Sequence, residues 1–137
     1  MSLGTDARAH YLRDSVVSAT PAQQLVMLFD RLLLDLRWAE KAQDQSDWVG
    51  ASTHLTHAQA IIAELTGTLK VELWSGGPAL MSLYVYIAGI LRTGNAWHDV
   101  EPTREAIELL EPLRISWHVA VEETAALTRP ERLSAVG

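Results

Sequence analysis

The sequence predicts an all-α protein, an antiparallel up-down four-helix bundle with a short N-terminal arm. Four segments of roughly 15 to 28 residues place apolar residues at the i, i+3, i+4, i+7 spacing of a helix buried on one face. Short polar stretches separate these segments, and a proline stands at or near the start of the first, third and fourth. Because helices joined by short loops pack as antiparallel neighbours, this order favours a bundle. At 137 residues the chain has the size of one domain.

The first helix is the most strongly patterned segment. Thr20 and Pro21 supply a hydroxyl N-cap and a proline at the first helical position, and the helix is predicted to run to about residue 42. Its main apolar face consists of Leu25, Leu28, Phe29, Leu32, Leu36 and Ala39. On nearly the opposite side lies a smaller stripe formed by Met27, Leu34 and Trp38. We expect polar surface only from Asp30, Arg31, Asp35 and Arg37. Such a helix either lies between two layers or leaves one stripe for a partner.

The second helix is predicted over about residues 49–69, and its buried face consists of Leu55, Ala58, Ile62, Leu65 and Leu69. The third begins at Pro78 and ends at Gly94, which is followed by Asn95, a second residue that tolerates the left-handed conformation. This third helix is apolar almost all round, and only Ser82 and Gly89 interrupt its apolar surface. Most of its surface must therefore be covered by other parts of the molecule.

The fourth helix begins near Pro102 and continues to about residue 128. Pro112 falls inside it, removes one backbone hydrogen bond, and either kinks the helix or divides it into two. We favour one kinked helix because the apolar stripe stays in phase from Leu110 through Trp117 to Val121.

Residues 19–128 are thus assigned to the bundle, between two terminal segments. Residues 1–18 are predicted to form a mobile arm with about two helical turns, which docks by Tyr11 and Leu12; a frayed terminus without a role is the alternative. Residues 129–137 are polar, and we predict that they are disordered.

Composition argues against several classes of function. A net charge of −6 with only 11 Lys and Arg argues against nucleic-acid binding, which needs a basic surface. The longest apolar run, from Pro78 to Leu91, is too short to span a bilayer. The chain has no cysteine, which excludes disulfides and iron–sulfur clusters, and we recognise no secretory signal. We therefore expect a cytoplasmic protein.

Catalytic and metal-binding motifs are missing from the sequence. A di-iron bundle needs Glu-x-x-His pairs, and none of the five histidines has an acidic residue three positions before it. His54 and His57 share one helical turn and could chelate a metal, but no third ligand accompanies them, so we interpret them as a solvated helix face. Phosphate loops, HExxH and GxSxG motifs are missing too. We expect neither enzymatic activity nor a cofactor or metal.

Several short motifs follow one another along most of the chain. Tyr11 precedes the segment T-P-x-x-x-L-V-x-L-F-D at residues 20–30, and the later motifs are Ala58-x-x-Ile61-Ile62-x-Glu64-Leu65-x-x-x-Leu69, Gly76-Gly77, Leu83-Tyr84-x-Tyr86, Asn95 and Trp117. This ordered set resembles the FliS family of flagellar export chaperones. The chain departs from the family pattern at Phe29, where tyrosine is usual, at Arg31, where glycine is usual, and at Pro78, which replaces an acidic residue.

The resemblance implies a four-helix bundle, often dimeric, that binds the disordered C-terminal segment of flagellin. Such a chaperone prevents flagellin from polymerising in the cytoplasm and escorts it to the type III export gate. Docking of a helix needs apolar anchors that meet a hydrophobic groove. We expect this groove at the edges of the later helices and beneath the arm, with the candidate residues Tyr11, Leu12, Ile61, Leu65, Leu69, Tyr86, Ile90 and Leu109. For each of them, plain core or terminal packing is the alternative, and the arm is expected to cover part of the groove until flagellin displaces it.

A second class of function stays open at this point. A non-catalytic adaptor or oligomerisation module that binds a folded partner would hide its apolar stripes in a permanent assembly. The places of Trp38, Trp74 and Trp97 are not determined by the pattern.

Overall fold

A computed structural model describes residues 19–128, and these residues form four α-helices. The helices are α1 (Pro21–Asp44), α2 (Trp48–Thr68), α3 (Gly77–Trp97) and α4 (Glu101–Thr128), with one 3-10 turn at Val71–Leu73 before α3. Helix α1 packs against α2 and α4, α2 packs against α3, and α3 packs against α4 and the 3-10 turn. This closed order of neighbours confirms the predicted all-α up-down bundle.

Side-chain caps fix the starts of the first two helices. Thr20 Oγ1 accepts a hydrogen bond from the backbone N–H of Gln23 at 3.1 Å, and Gln23 Oε1 accepts one from the Thr20 N–H at 2.9 Å. This reciprocal capping box confirms the helix start predicted at Thr20 and Pro21. At α2, Asp47 Oδ1 accepts from the N–H of Gly50 at 3.0 Å.

The core lies between the four helices and consists mainly of aliphatic side chains. Its central members, all with no accessible surface, are Phe29, Leu32, Leu36, Ala39, Leu55, Ala58, Ile87, Leu91, Ala106 and Leu110. Tyr84 joins them at 1 % exposure, and its ring lies 6.4 Å from that of Phe29. The helical periodicity of the sequence therefore identified most of the buried positions.

The end of α3 differs from the prediction. The helix does not end at Gly94 but continues to Trp97, and His98 takes the left-handed conformation at φ 54°. The His98 ring stacks on Trp48 with a centroid distance of 4.5 Å. Gly94 has another role: a Cβ there would lie 3.0 Å from the carbonyl oxygen of Asp99 and from the Pro102 ring. Gly94 thus permits close approach of the α3–α4 connection.

Helix α4 is continuous from Glu101 to Thr128, with Pro112 inside it. One helix rather than two short ones is therefore the correct alternative of the two that the sequence allowed. The Ser116 hydroxyl donates to the Pro112 carbonyl at 3.0 Å.

Asp35 was assigned to polar surface, and this prediction is wrong. Its side chain is fully buried, where Oδ2 accepts hydrogen bonds from Arg31 Nε at 3.3 Å and from His57 Nδ1. A buried carboxylate needs such partners because its desolvation costs much free energy. His57 is 22 residues away in the sequence, so the pattern of α1 alone gives no sign of it.

The predicted arm, residues 1–18, and the predicted tail, residues 129–137, lie outside the described residues. Their assignments stay predictions.

Candidate polypeptide-binding cleft

A cleft of about 440 Å³ opens at the end of the bundle where α1 begins and α2 ends. Its walls come from all four helices and from the α2–α3 connection, and its apolar lining includes Leu25, Leu28, Leu65, Leu69, Trp74, Leu80, Tyr84 and Trp117. Pro21 and Gln24, in the first turn of α1, lie at its edge. Among the described residues, Leu25 and Leu28 at this end of α1 are only partly covered by the other helices, which leaves the cleft open.

Aromatic rings form one side of this cleft. Trp74 is 46 % exposed and meets Trp117 edge-on, with ring centroids 6.1 Å apart. The Trp117 ring in turn meets the ring of Phe29 in the core, with the ring centroids 6.2 Å apart. The indole nitrogen of Trp117 is buried, and no residue between 19 and 128 accepts its hydrogen. This wall combines a large apolar surface with a hydrogen-bond donor that no described residue uses.

Few charges line the cleft. Glu64 and Lys70 are its only charged residues within the described part of the chain. Burial raises the pKa of Tyr84, which lies at the base of the cleft, to about 12, so its hydroxyl is neutral at physiological pH. The cleft is therefore suited to apolar side chains rather than to a charged ligand.

A second, shallower groove of about 680 Å³ runs between α2 and α3. Its lining is mainly small or short, and includes Thr56, Ala60, Ala63, Thr66, Gly67, Val85 and Ala88. Val85 is 61 % exposed, although it is a large apolar residue in the middle of a helix. Tyr84 lines both the cleft and this α2/α3 groove, so the two form neighbouring parts of one surface.

The predicted site residues of α2 lie at or beneath the cleft. Ile61 and Leu65 belong to the core, with 5 % and 2 % exposure, and Leu65 also forms part of the cleft lining. Leu69 is half-buried and lines the cleft. Leu65 and Leu69 thus both line the cleft, whereas Ile61 does not.

The other predicted residues lie on a different side of the bundle. Tyr86 is 47 % exposed and its hydroxyl donates to Glu105 of α4 at 2.5 Å, which also raises the pKa of Tyr86. Leu109, at 37 % exposure, lies one helical turn after Glu105, and Ile90 lies one turn after Tyr86. None of the three lines the cleft or the α2/α3 groove. Tyr11 and Leu12 lie outside the described residues.

Sequence reasoning missed most of the cleft wall. Leu25 and Leu28 were assigned to the buried face of α1, and Trp74 and Trp117 were not assigned to the site. The periodic pattern marks α1 as apolar from Leu25 onwards, but it does not show that the neighbouring helices leave Leu25 and Leu28 only partly covered. Trp74, an indole beside the Gly76-Gly77 pair, was the one signal that could have pointed here.

No cluster of three or more metal-ligating side chains occurs among residues 19–128. The same described region contains no helix that is long and apolar enough to cross a membrane.

Comparison with known proteins identifies the family. The family model "Flagellar protein FliS" matches residues 4–124, which is most of the chain. The chain belongs to the FliS family. This confirms the resemblance inferred from the sequence motifs.

Two similar proteins are consistent with this FliS assignment. The curated "Flagellar secretion chaperone FliS" of Bacillus subtilis (strain 168) is 29 % identical over 114 residues, which cover 82 % of this chain and 84 % of the relative. A solved structure described as "Crystal structure of flagellar chaperone from bacteria" superimposes with a TM-score of 0.69 at 17 % identity. The match covers 88 % of this FliS-family chain and 98 % of that one, and at this identity it supports the fold alone.

Proposed function

We propose that this FliS-family chain is a non-catalytic, cytoplasmic export chaperone for flagellin. It binds the disordered C-terminal segment of flagellin, prevents premature polymerisation and assists delivery to the export gate. The observation that carries the proposal is the open cleft, because it leaves partly exposed a set of large apolar side chains: Leu25, Leu28, Leu69, Trp74 and Trp117. The name of the Bacillus subtilis relative, a flagellar secretion chaperone, supports it.

The cleft and the α2/α3 groove together suit a polypeptide that folds on binding. Ordering a disordered segment costs several kcal/mol, roughly 2–5 or more. At roughly 25 cal/mol per Å², about 1,000 Å² of apolar contact would offset that cost and leave useful affinity. Apolar anchors would fill the cleft, and a helix would pack along the α2/α3 groove, where small side chains permit close approach.

Residues 1–18 are proposed to cover the cleft when flagellin is absent. The segment enters α1 at Thr20 and Pro21, and Pro21 itself lines the cleft. Its apolar residues, above all Tyr11 and Leu12, would therefore be tethered close to the cleft mouth. Flagellin would displace them.

The test compares Leu25→Asp with Leu34→Asp in binding to the C-terminal region of the cognate flagellin. Both leucines belong to α1, but Leu25 lines the cleft, whereas Leu34 lies on the outer side of the helix at 39 % exposure. A charge in the cleft must be desolvated against apolar contacts, so Leu25→Asp should weaken binding at least about tenfold. Leu34→Asp should leave binding unchanged.

Titration calorimetry measures both affinities, and circular dichroism verifies that both variants stay helical. Equal affinities of Leu25→Asp and the unmodified chain would contradict the cleft as the binding site. Leu65 is unsuitable for this test because it is a core residue, and an aspartate there would disturb folding.

One observation favours a second class of function. The stripe of Met27, Leu34 and Trp38 on the outer side of α1 is about 40 % exposed along its length. An adaptor or a homodimer would cover it with a second copy or a folded partner. Light scattering with and without the flagellin segment separates the two: a constitutive dimer that ignores flagellin would favour the second class.

A further inference from the structure

Arg92 of α3 lines the α2/α3 groove and has no acidic partner among residues 19–128. Among the arginines of residues 19–128, it alone makes no ion pair or side-chain hydrogen bond. Arg31 pairs with Asp35, Arg37 with Glu111, Arg104 with Glu40, Asp44 and Glu101, and Arg114 with Asp30 and Glu111. Residues 19–128 thus leave one guanidinium without a counter-charge, in a groove where a partner can reach it.

The other described residues of the groove carry no charge. Its other lining residues are alanine, glycine, threonine, glutamine, isoleucine, valine and tyrosine. An ion pair in such surroundings is less screened once a partner covers the groove and excludes water. Arg92 is exposed and belongs to α3, so its guanidinium is available to the side chains of a polypeptide that lies along the groove between α2 and α3.

We propose that Arg92 selects a flagellin segment that carries an aspartate or glutamate side chain at this level of the groove. The inference rests on the proposed function and names the polar contact of the same site. Arg92 follows Tyr84, where cleft and groove meet, by eight residues of one helix, a distance of about 12 Å. The carboxylate should therefore stand about two helical turns along the bound segment from the apolar anchors that fill the cleft.

The experiment measures binding of the cognate flagellin C-terminal region to Arg92→Gln, Arg92→Glu and the matched control Lys41→Glu. Lys41 is an exposed cation on α1 that lines neither the cleft nor the groove. Because a charge-assisted hydrogen bond is lost, Arg92→Gln should bind several-fold and Arg92→Glu at least about tenfold more weakly. Lys41→Glu, which changes the net charge equally, should bind within about twofold of the unmodified chain.

A reciprocal series locates the carboxylate on flagellin. Each aspartate and glutamate of the segment is replaced by its amide, and a peptide with an amidated C-terminus is included. One side-chain replacement should weaken binding as much as Arg92→Gln does, and the two changes combined should cause no further loss.

Three results would overturn the inference while the proposed function stands: unchanged binding of Arg92→Gln, equal losses for Arg92→Glu and Lys41→Glu, or a loss confined to the amidated C-terminus. If the unmodified chain does not bind flagellin, the proposed function fails and the inference fails with it. Unfolding curves of the Arg92 variants should match that of the unmodified chain, because Arg92 is exposed and contacts no counter-ion in the described region.

Discussion

A buried carboxylate joins the first two helices. Asp35 has no accessible surface, and both of its donors, Arg31 and His57, bind the same oxygen. Its other oxygen, Oδ1, has no hydrogen-bond partner among residues 19–128. Since an underpaired buried charge is costly, the stability of the α1–α2 contact depends on His57.

His57→Ala should therefore lower the free energy of unfolding by about 1–3 kcal/mol, because it leaves Asp35 buried with one donor at 3.3 Å. Urea denaturation followed by circular dichroism measures the change. His54→Ala is the matched control, because His54 lies one turn earlier on α2. Its ring faces the Trp38 ring, with the two centroids 5.3 Å apart, instead of a carboxylate. Equal effects of the two substitutions would show that the Asp35 contact adds no stability.

Tyr84 makes stability depend on alkaline pH. Burial holds its pKa at about 12, above the ordinary value of 10.0, so the folded state favours the neutral phenol. The contribution of the neutral Tyr84 phenol to the free energy of unfolding is fully present below pH 10. It is lost as the pH rises from 10 towards 12, because the tyrosine ionises in the unfolded chain before it ionises in the folded one. The difference between the folded and unfolded pKa values corresponds to about 2–3 kcal/mol of stability.

In Tyr84→Phe this part of the alkaline loss should disappear, because the ring stays and the ionisable group is removed. Chemical denaturation at a series of pH values from 8 upwards provides the comparison. A variant as sensitive to alkali as the unmodified chain would contradict the assignment to Tyr84.

At the scale of the helix, two glycines of α3 have opposite roles. A Cβ at Gly89 would meet nothing within 4 Å, whereas one at Gly94 would press on Asp99 and Pro102 at 3.0 Å. Gly89 thus has room for a side chain, whereas Gly94, five residues later, is packed tightly against the α3–α4 connection.

Gly89→Ala should raise the free energy of unfolding by about 0.5–1 kcal/mol through helix propensity. Gly94→Ala should lower it by about 1–2 kcal/mol, because the α3–α4 connection must move away. Thermal and urea unfolding of the pair give the sign of each change. Stabilisation by both would mean that the connection can shift freely.

Helix patterns explain why the elements were predictable and the cleft was not. The α1 periodicity, the Thr20 cap and the prolines at helix starts all depend on residues a few positions apart, so sequence alone locates the helices. Whether Leu25 is core or cleft depends on where α2, α3 and α4 end around it. Asp35 shows the same limit, since its burial depends on a histidine from another helix.

At the scale of the whole molecule, the proposed arm would act as a tethered competitor. Pro21, at the start of α1, lines the cleft, so an arm formed by the preceding residues would present the bundle with a high local concentration of its own apolar side chains. Flagellin would then bind only the uncovered fraction of molecules.

Deletion of residues 1–18 should tighten flagellin binding or speed association, since no competitor has to leave the cleft. Stopped-flow association and titration calorimetry measure the two effects. Replacement of Tyr11 and Leu12 by serine within the full chain provides the control for the loss of length. Slower association or weaker affinity after deletion would indicate that the arm contributes to binding instead.

The edge-on contact between Trp74 and Trp117 also provides an optical signal. Two indoles whose centres lie 6.1 Å apart couple their electronic transitions, and the resulting circular dichroism depends on their mutual orientation. Trp38, Trp48 and Trp97 do not line the cleft. The dichroic band that vanishes in Trp74→Phe therefore reports on this pair of rings, and a chain entering between them would be visible in the near ultraviolet without a dye.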